Sequence, residues 1–200
     1  CYSLIMPVTI NGNGTITGVS VGGLPDGIVD TDMLAADSVT APKIGSKTFT
    51  SYAIIGDVKA NDVDGGSFTT GDWRTRDLNT ELADPDGIVS ISSNQFTLQA
   101  GSYLIEVQAP CYQGNRHMIK LYQTSGTPAD IAFGTGEYAN SVYSGHTRSF
   151  LKARVTISSA TTYEIRHRCA ATRATIGFGI GSDFTNNTEL YTIVKISKEA

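Results

Sequence analysis

From position 47 onward, short runs in which apolar and polar side chains trade places every second residue are separated by clusters of Gly, Asn, Asp, Ser and Pro. Alternation of period two is the pattern of a strand with one face in a core and the other in solvent. The clearest runs cover 102–109, 116–123, 148–157, 163–169, 175–180 and 190–196, and weaker ones cover 51–59, 73–79, 88–91 and 95–98. At 163–169, Tyr163, Ile165, His167 and Cys169 form one row and Glu164, Arg166 and Arg168 the other. The first row is expected to face inward, and Arg166 and Arg168 to form a solvated or subunit-facing row. About ten strands in this stretch fit two antiparallel sheets packed face to face, a sandwich or a barrel. The fold class is therefore all-β.

The first 46 residues follow a different pattern. Residues 7–27 mix Thr, Ile, Val and Ser with Asn11, Gly12, Asn13, Gly14, Gly18, Gly22 and Gly23. The β-branched residues favour extended backbone and the Asn-Gly pairs favour turns, so short strands or loops that dock onto another body are expected. Residues 28–46 carry a short repeat: Val29, Asp30, Met33 and Leu34 are echoed ten positions on by Val39, Thr40, Lys43 and Ile44. Pro42 and Gly45 interrupt any long helix here. So thin an element cannot bury Val29, Leu34, Val39 and Ile44 within one chain, and these residues are expected to face an assembly axis. Three zones result: an anchoring segment over 1–27, a short shaft over 28–46 and a head over 47–200.

Composition narrows the function classes. The chain has 200 residues, a formal net charge of −4 and a pI near 5.3. No basic stripe exists to neutralise a phosphate backbone, so nucleic acid is not an expected partner. No apolar run approaches the roughly 20 residues of a membrane span, and no basic segment followed by an apolar one opens the chain. The expectation is a soluble protein made without a signal peptide and without membrane insertion. Cys1, Cys111 and Cys169 are too few and too far apart for a disulfide scaffold or a zinc module, and they read as buried or unreactive thiols. A bridge between Cys111 and Cys169 requires two strands that place them together.

Candidate catalytic chemistry finds simpler explanations. His117, His146 and His167 lie on or beside predicted strands and outside any metal or nucleophile motif. Asp84 and Asp86 sit in Ala83-Asp84-Pro85-Asp86-Gly87, where Pro and Asp-Gly are turn chemistry. Asn61, Asp62, Asp64, Gly65 and Gly66 resemble the opening of a calcium loop, but the spacing departs from the EF-hand and Asp72 is the nearest following acid. An exposed hairpin connection is expected there, and a calcium site would need a second loop. No cofactor, no metal and no enzymatic activity are expected; a glycan-cleaving enzyme is the alternative from another class, with Asp62, Asp64, Asp84, Asp86 and Glu137 as its acids. The informative loops are instead two polar-aromatic clusters, Tyr112, Gln113, Asn115, Arg116 and His117, and Tyr138, Asn140, Tyr143, His146 and Arg148. Tyr and Asn combine stiff contact area with adaptable hydrogen bonds, which suits recognition of a saccharide or protein surface. Asp183, Asn186 and Asn187 are candidates for a third loop.

Phe96, Ala100, Gly101, Ser102 and Tyr103, an aromatic residue ahead of a Gly-x-Tyr strand start, resemble the C1q and tumour-necrosis-factor-like jelly rolls. So do Leu121, the Gly177-Phe178 pair and the closing 191–196 strand. This resemblance covers residues 47–200. Gly23-Leu24-Pro25-Asp26-Gly27-Ile28-Val29-Asp30 and the 33–40 repeat look like leader and repeat segments of bacteriophage fibre proteins. Together the resemblances imply a homotrimeric virion protein, assembled in the bacterial cytoplasm. Its N-terminal segment would join other virion proteins, and its jelly-roll head would bind a glycan or protein of the host surface, as in a short tail fibre. The alternative within the same architecture is a trimeric capsid decoration or head fibre. The family's threefold assembly makes Tyr103, Phe178, Tyr191 and Ile193 candidates for the axis, although each also reads as an ordinary core position.

Overall fold

The computed structural model describes residues 49–200 and, ahead of them, two short strands. These are β1 (Thr9–Ile10) and β2 (Ile16–Thr17), paired antiparallel. The chain divides into two units, Cys1–Ser46 and Lys47–Ala200. The shaft residues Val29, Leu34, Val39 and Ile44 lie outside the described residues.

Every regular element of the second unit is a strand: β3 (Phe49–Lys59), β4 (Arg74–Thr75), β5 (Thr80–Ala83), β6 (Val89–Ser92), β7 (Gln95–Leu98), β8 (Gly101–Tyr112), β9 (Asn115–Gln123), β10 (Ala129–Phe133), β11 (Glu137–Ala139), β12 (His146–Ile157), β13 (Thr161–Cys169) and β14 (Glu189–Glu199). They form two antiparallel sheets. One has the order β12-β8-β14-β3-β5, and the other β10-β9-β13-β7-β6. In the second, β11 continues the column of β10 beside β9, and β4 that of β7 beside β13. The chain crosses between sheets at the connections after β3, β4, β5, β7, β8, β11, β12 and β13, which makes the sandwich a jelly roll.

The alternation foreseen in the sequence sets the two faces. Tyr163, Ile165, His167 and Cys169 are buried while Arg166 and Arg168 face outward. Between the sheets lies an apolar core that includes Ile55, Phe96, Leu98, Tyr103, Ile105, Ile119, Leu121 and Ile165, all with no exposed surface. Each such side chain contributes about 1.5–3 kcal/mol of burial. A smaller cluster of Phe68, Cys111, Ala139, Cys169 and Phe178 closes one end.

Two expected strands are not formed as drawn. Residues 175–180 make turns, with Thr175 at φ +60° and Gly179 at φ +141°, and their backbone instead pairs with residues 65–66. The run at 73–79 reduces to β4, because Arg76 turns its side chain into the interior at the crossover to β5. The strands β5, β10 and β11, short and mixed in pattern, are absent from the expectation.

Arg76 is fully buried. Its backbone N–H donates to Ile165 of one sheet at 2.8 Å, while its guanidinium crosses the sandwich. There it donates to Thr192 Oγ1 at 2.7 Å, to the Pro110 carbonyl at 3.2 Å and to the Phe178 carbonyl at 2.8 Å, and it stacks at 4.0 Å on the Phe178 ring. Burial pulls its pKa down to about 10, so it stays charged at neutral pH. Buried Asp57, with Lys59 Nζ at 3.0 Å, is a countercharge on the neighbouring strand. Arg76→Met keeps the stem but strands these acceptors. It is expected to lower unfolding stability by about 3–5 kcal/mol in chemical denaturation, where a loss under about 1 kcal/mol would contradict the assignment.

Candidate functional site

The ends of the sandwich differ. Phe49 pairs with Glu199, so the start of β3 and the end of β14 meet at one end, where Gly101 also pairs with Ile157. At the other end Lys59 pairs with Glu189 and Tyr112 with His146. The long 60–73 connection, the β8–β9 turn, the 140–145 turn and the 170–188 connection therefore all gather at that second end.

These loops hold one another. Gln113 N–H donates to Gly145 O at 2.8 Å, Ser141 N–H to Asn115 Oδ1 at 3.3 Å, and Tyr112 N–H to Gly177 O at 3.0 Å. Arg173 donates from Nε to Gln113 O at 3.1 Å and from Nη2 to Ser141 O, joining three loops through one guanidinium. Gly114 and Gly145 allow the close approach: a Cβ on Gly114 would overlap Cys111 Sγ, and one on Gly145 the Asn140 backbone. Asn61 and Asp64 are used in the same way. Asn61 Nδ2 donates to Phe184 O and Asn61 Oδ1 accepts from Asn186 N–H, while Asp64 Oδ1 accepts from Gly181 N–H. The oxygen-rich segment thus docks the 181–187 loop. Asp84 accepts from the N–H groups of Ile88 and Val89, closing its own turn, as its Pro and Gly neighbours suggest.

The two polar-aromatic clusters of the sequence are brought side by side. Tyr138 pairs with Arg116 and Ala139 with Asn115, and the Tyr112 and His146 rings meet edge to face at 5.9 Å. Their members divide by role. Arg116, Tyr138, Tyr143 and His146 are exposed, Tyr143 at 80%. Gln113 and Asn115 are held at φ +54° and +60° to make the turn, and Asn140 Oδ1 accepts from Val142 and Tyr143 N–H, so these three build the platform. Arg148 is half-buried and donates to Tyr191 O at 2.9 Å. His117 is buried, because it lies in the inward row of β9 opposite Cys169. Exposed Val142 and Phe184, each at 72%, join the same end and carry no sequence signal of a loop site.

Of the candidates for an assembly axis, Tyr103, Phe178 and Tyr191 fill the protomer's own interior, and Ile193 is half-exposed. Buried aromatics next to strand termini look the same in sequence whether they fill a core or an interface. The outward face of the five-stranded sheet supplies the apolar surface instead. In one registered row stand Gly56, Ile193, Gln108 and Phe150, with Leu82 and Leu190 closing over Gly56. Phe150 is 51% exposed, Tyr52 47% and Leu82 44%. The adjacent row is ionic, Lys195, Glu106 and Lys152, with Lys152 Nζ 2.7 Å from Glu106.

On the other sheet, a recess of about 960 Å³ opens across β13, β9 and β11, bordered by Thr70, Arg116, Met118, Tyr138 and Arg168. Beneath it His117 and His167 share a hydrogen bond of 2.9 Å, and His117 Nε2 is 2.7 Å from Thr147 Oγ1. His167 Nδ1 is buried without a partner, which favours a lone pair there and Nε2–H donating to His117. Burial pushes His117 down to about 4 and His167 well below the ordinary histidine value. The same burial pushes the Cys111 thiol up to about 12 and Cys169 to about 11, and both are unbridged, in keeping with the unreactive thiols expected.

Compared with known protein families and with characterised proteins, the chain finds no match. Among solved structures it is similar to the TNF protein Eiger of S. frugiperda, at 13% identity over 77% of this chain and 94% of that one, with a TM-score of 0.50. It is also similar to the globular domain of zebrafish complement 1qA, at 16% identity over 74% and 95% with a TM-score of 0.47. A third similarity is to the vertex protein P5 of PRD1, at 10% identity over 77% and 100% with a TM-score of 0.46. The second unit is a jelly-roll sandwich of the C1q/TNF-like kind.

The neutral histidine pair sets a pH dependence. Unfolded histidines take up protons near pH 6.5 and the buried pair does so only at much lower pH, so stability is complete above about 6.5 and falls as the pH drops below it, by about 1.4 kcal/mol per unit for each histidine. Asp57, raised by burial, acts in the opposite sense above its unfolded value. The melting temperature is expected to fall between pH 6.5 and 4.5, and His167→Phe to flatten that slope. A melting temperature constant over this range would refute the role given to the pair.

Proposed function

We propose that the chain is a homotrimeric structural protein of a bacteriophage particle, a short fibre whose head binds the host cell surface. The N-terminal unit attaches to other virion proteins, through an anchor in residues 1–27 and a shaft in 28–46 that stacks Val29, Leu34, Val39 and Ile44 around the axis. The observation that carries the reading is the polarity of the head. Its first strand begins at Phe49 on one end, and four connections gather at the opposite end, two of which expose Val142, Tyr143 and Phe184 next to Tyr138 of β11. A head joined to its particle through its N-terminal side thus has its loops free for contact. The leader and repeat, which look like those of phage fibres, supply the particle.

The apolar row on the five-stranded sheet supports self-association. Exposed Phe150, Leu82 and Leu190 lie along the row of half-exposed Ile193, and exposed Tyr52 stands on the same face beyond the ionic row, apolar exposure of the kind that marks an interaction site. Three copies around an axis bury it and present three equivalent loop platforms, so modest single-site affinities multiply by avidity. Asp64, Asp84 and Asp86 hold loops or turns in place, so host attachment in this reading is binding without turnover.

Light scattering after size exclusion is expected to give three times the 21.2 kDa of one chain. Phe150→Glu combined with Leu190→Glu, both at exposed positions, is expected to give folded monomer, and a trimer that survives the pair would exclude this face. Deleting residues 1–46 should leave a folded head that no longer joins particles. Incorporation of the truncated head would overturn the anchor assignment.

A further inference from the structure

The chain has eight arginines. Six are used internally: Arg74 and Arg173 on loop carbonyls, Arg76 and Arg148 on strand groups, Arg154 on Glu199 and Arg166 on Glu164. Arg116 and Arg168 are the two whose guanidiniums make neither a hydrogen bond nor an ion pair among the described residues. They stand on the same face of the same sheet. Arg168 is registered with Met118 and Tyr138 with Arg116, and Ala170 N–H donates to Arg116 O. The outward face therefore reads Arg168, Met118, Gly136 in one row and Ala170, Arg116, Tyr138 in the next. The two guanidiniums are diagonal neighbours, separated by about 7–8 Å at the backbone.

Their neighbours on this sheet show what a settled cation looks like. Lys120 is bound to Asp130 and lies 4.4 Å from the Trp73 ring, and Arg166 is bound to Glu164 and lies 3.6 Å from the Tyr122 ring. Each has a carboxylate and an aromatic ring. Arg116 and Arg168 have an aromatic ring beside them, Tyr138 at 55% exposure, and lack the carboxylate. Glu137 borders the recess but does not supply it: it is registered with inward-facing His117, so its side chain leaves β11 on the face opposite the two arginines, and it makes an ion pair with neither. Gly136, with no atom near its missing Cβ, and Ala170 leave room above the sheet, and Met118 gives the recess an apolar floor.

Two unpaired guanidinium forks on one face call for an anion that accepts in a plane, which a carboxylate does. The Tyr138 ring and the Met118 thioether ask in addition for a flat apolar surface attached to that anion, and the C–H face of a pyranose ring provides one. We infer that this recess binds a carboxylate-bearing sugar unit of a cell-surface polysaccharide, with Arg116 and Arg168 on the carboxylate and Tyr138 against the ring. The inference rests on the host-attachment reading for the source of the sugar and on the recess alone for its chemistry.

The test is calorimetric titration of the full chain with oligogalacturonate, with its carboxyl-reduced counterpart and with a glycerol-phosphate polymer. Saturable binding of the uronate is expected, weakening with salt, with little binding of the other two. Arg116→Gln with Arg168→Gln should weaken it by about tenfold or more at an unchanged melting temperature, since both positions are exposed. Absence of uronate binding, binding that survives the double substitution, or equal binding of the phosphate polymer each overturns the proposal. A second arm places the labelled chain on a panel of bacterial envelopes. If wild type and double variant attach equally, attachment stands and the acid-sugar site falls. If wild type attaches to none while uronate binding still depends on the two arginines, the site stands and the attachment reading falls.

Discussion

A single positive charge spans the interior of this sandwich, and the loop end is arranged around it. Arg76 belongs by its backbone to one sheet and by its guanidinium to the other, with a third contact to the 170–188 connection through Phe178. A charge in that position is tolerated only if every donor direction meets an acceptor, because an uncompensated ion in the interior costs several kcal/mol. That requirement fixes where Thr192, Pro110 and Phe178 stand. In turn, Phe178 packs at a tilt against Phe68 at 4.7 Å and lies parallel to His167, so the packing of the second core cluster follows from the same constraint.

The two halves of the sandwich use different physics. Toward the end where β3 begins and β14 ends, the core is aliphatic and aromatic, held by area alone, as in Phe96 against Tyr163. Toward the loop end the interior turns polar, with Arg76, Asp57, His117 and His167 buried among Phe68, Cys111 and Cys169. Polar interiors are directional: hydrogen bonds specify position where dispersion would permit several packings. The loops above are correspondingly fixed by named contacts, among them Arg173 across three segments, and exposed Tyr138 and Tyr143 are presented on a defined frame. A binding surface gains from such a frame, because ordering costs are met at folding and not at association.

The two outward faces are likewise unequal. The five-stranded sheet shows a row of aliphatic and aromatic side chains beside an ion-paired row, while the other shows cations that are paired with carboxylates and rings except at the recess. An apolar face suits a partner that stays, and an unpaired charged recess suits one that arrives and leaves through solvent. In the proposed reading, self-association and surface recognition fall to different sheets of the chain and do not compete for area.

Much of this was legible in the sequence. Period two along 163–169 separated the buried row from the arginine row correctly, Asp84-Pro85-Asp86-Gly87 announced its turn, and the Tyr and Asn clusters at 112–117 and 138–148 marked the loops that meet. These are local facts, decided by backbone sterics and by which side chains can leave water. What sequence could not decide was which partner each residue would find. His117 reads as a loop residue until the register of β9 turns it inward, Tyr103, Phe178 and Tyr191 read as core or interface alike until their burial within the chain decides, and Arg168 reads as one more solvated charge until Arg116 arrives beside it from another strand. The sequence by itself determined the all-β class, the alternation and the turns, because each depends on neighbours along the chain. Tertiary structure alone decided the buried arginine, the inward histidines and the unpaired guanidiniums, because burial and charge compensation depend on residues that chain connectivity does not bring together.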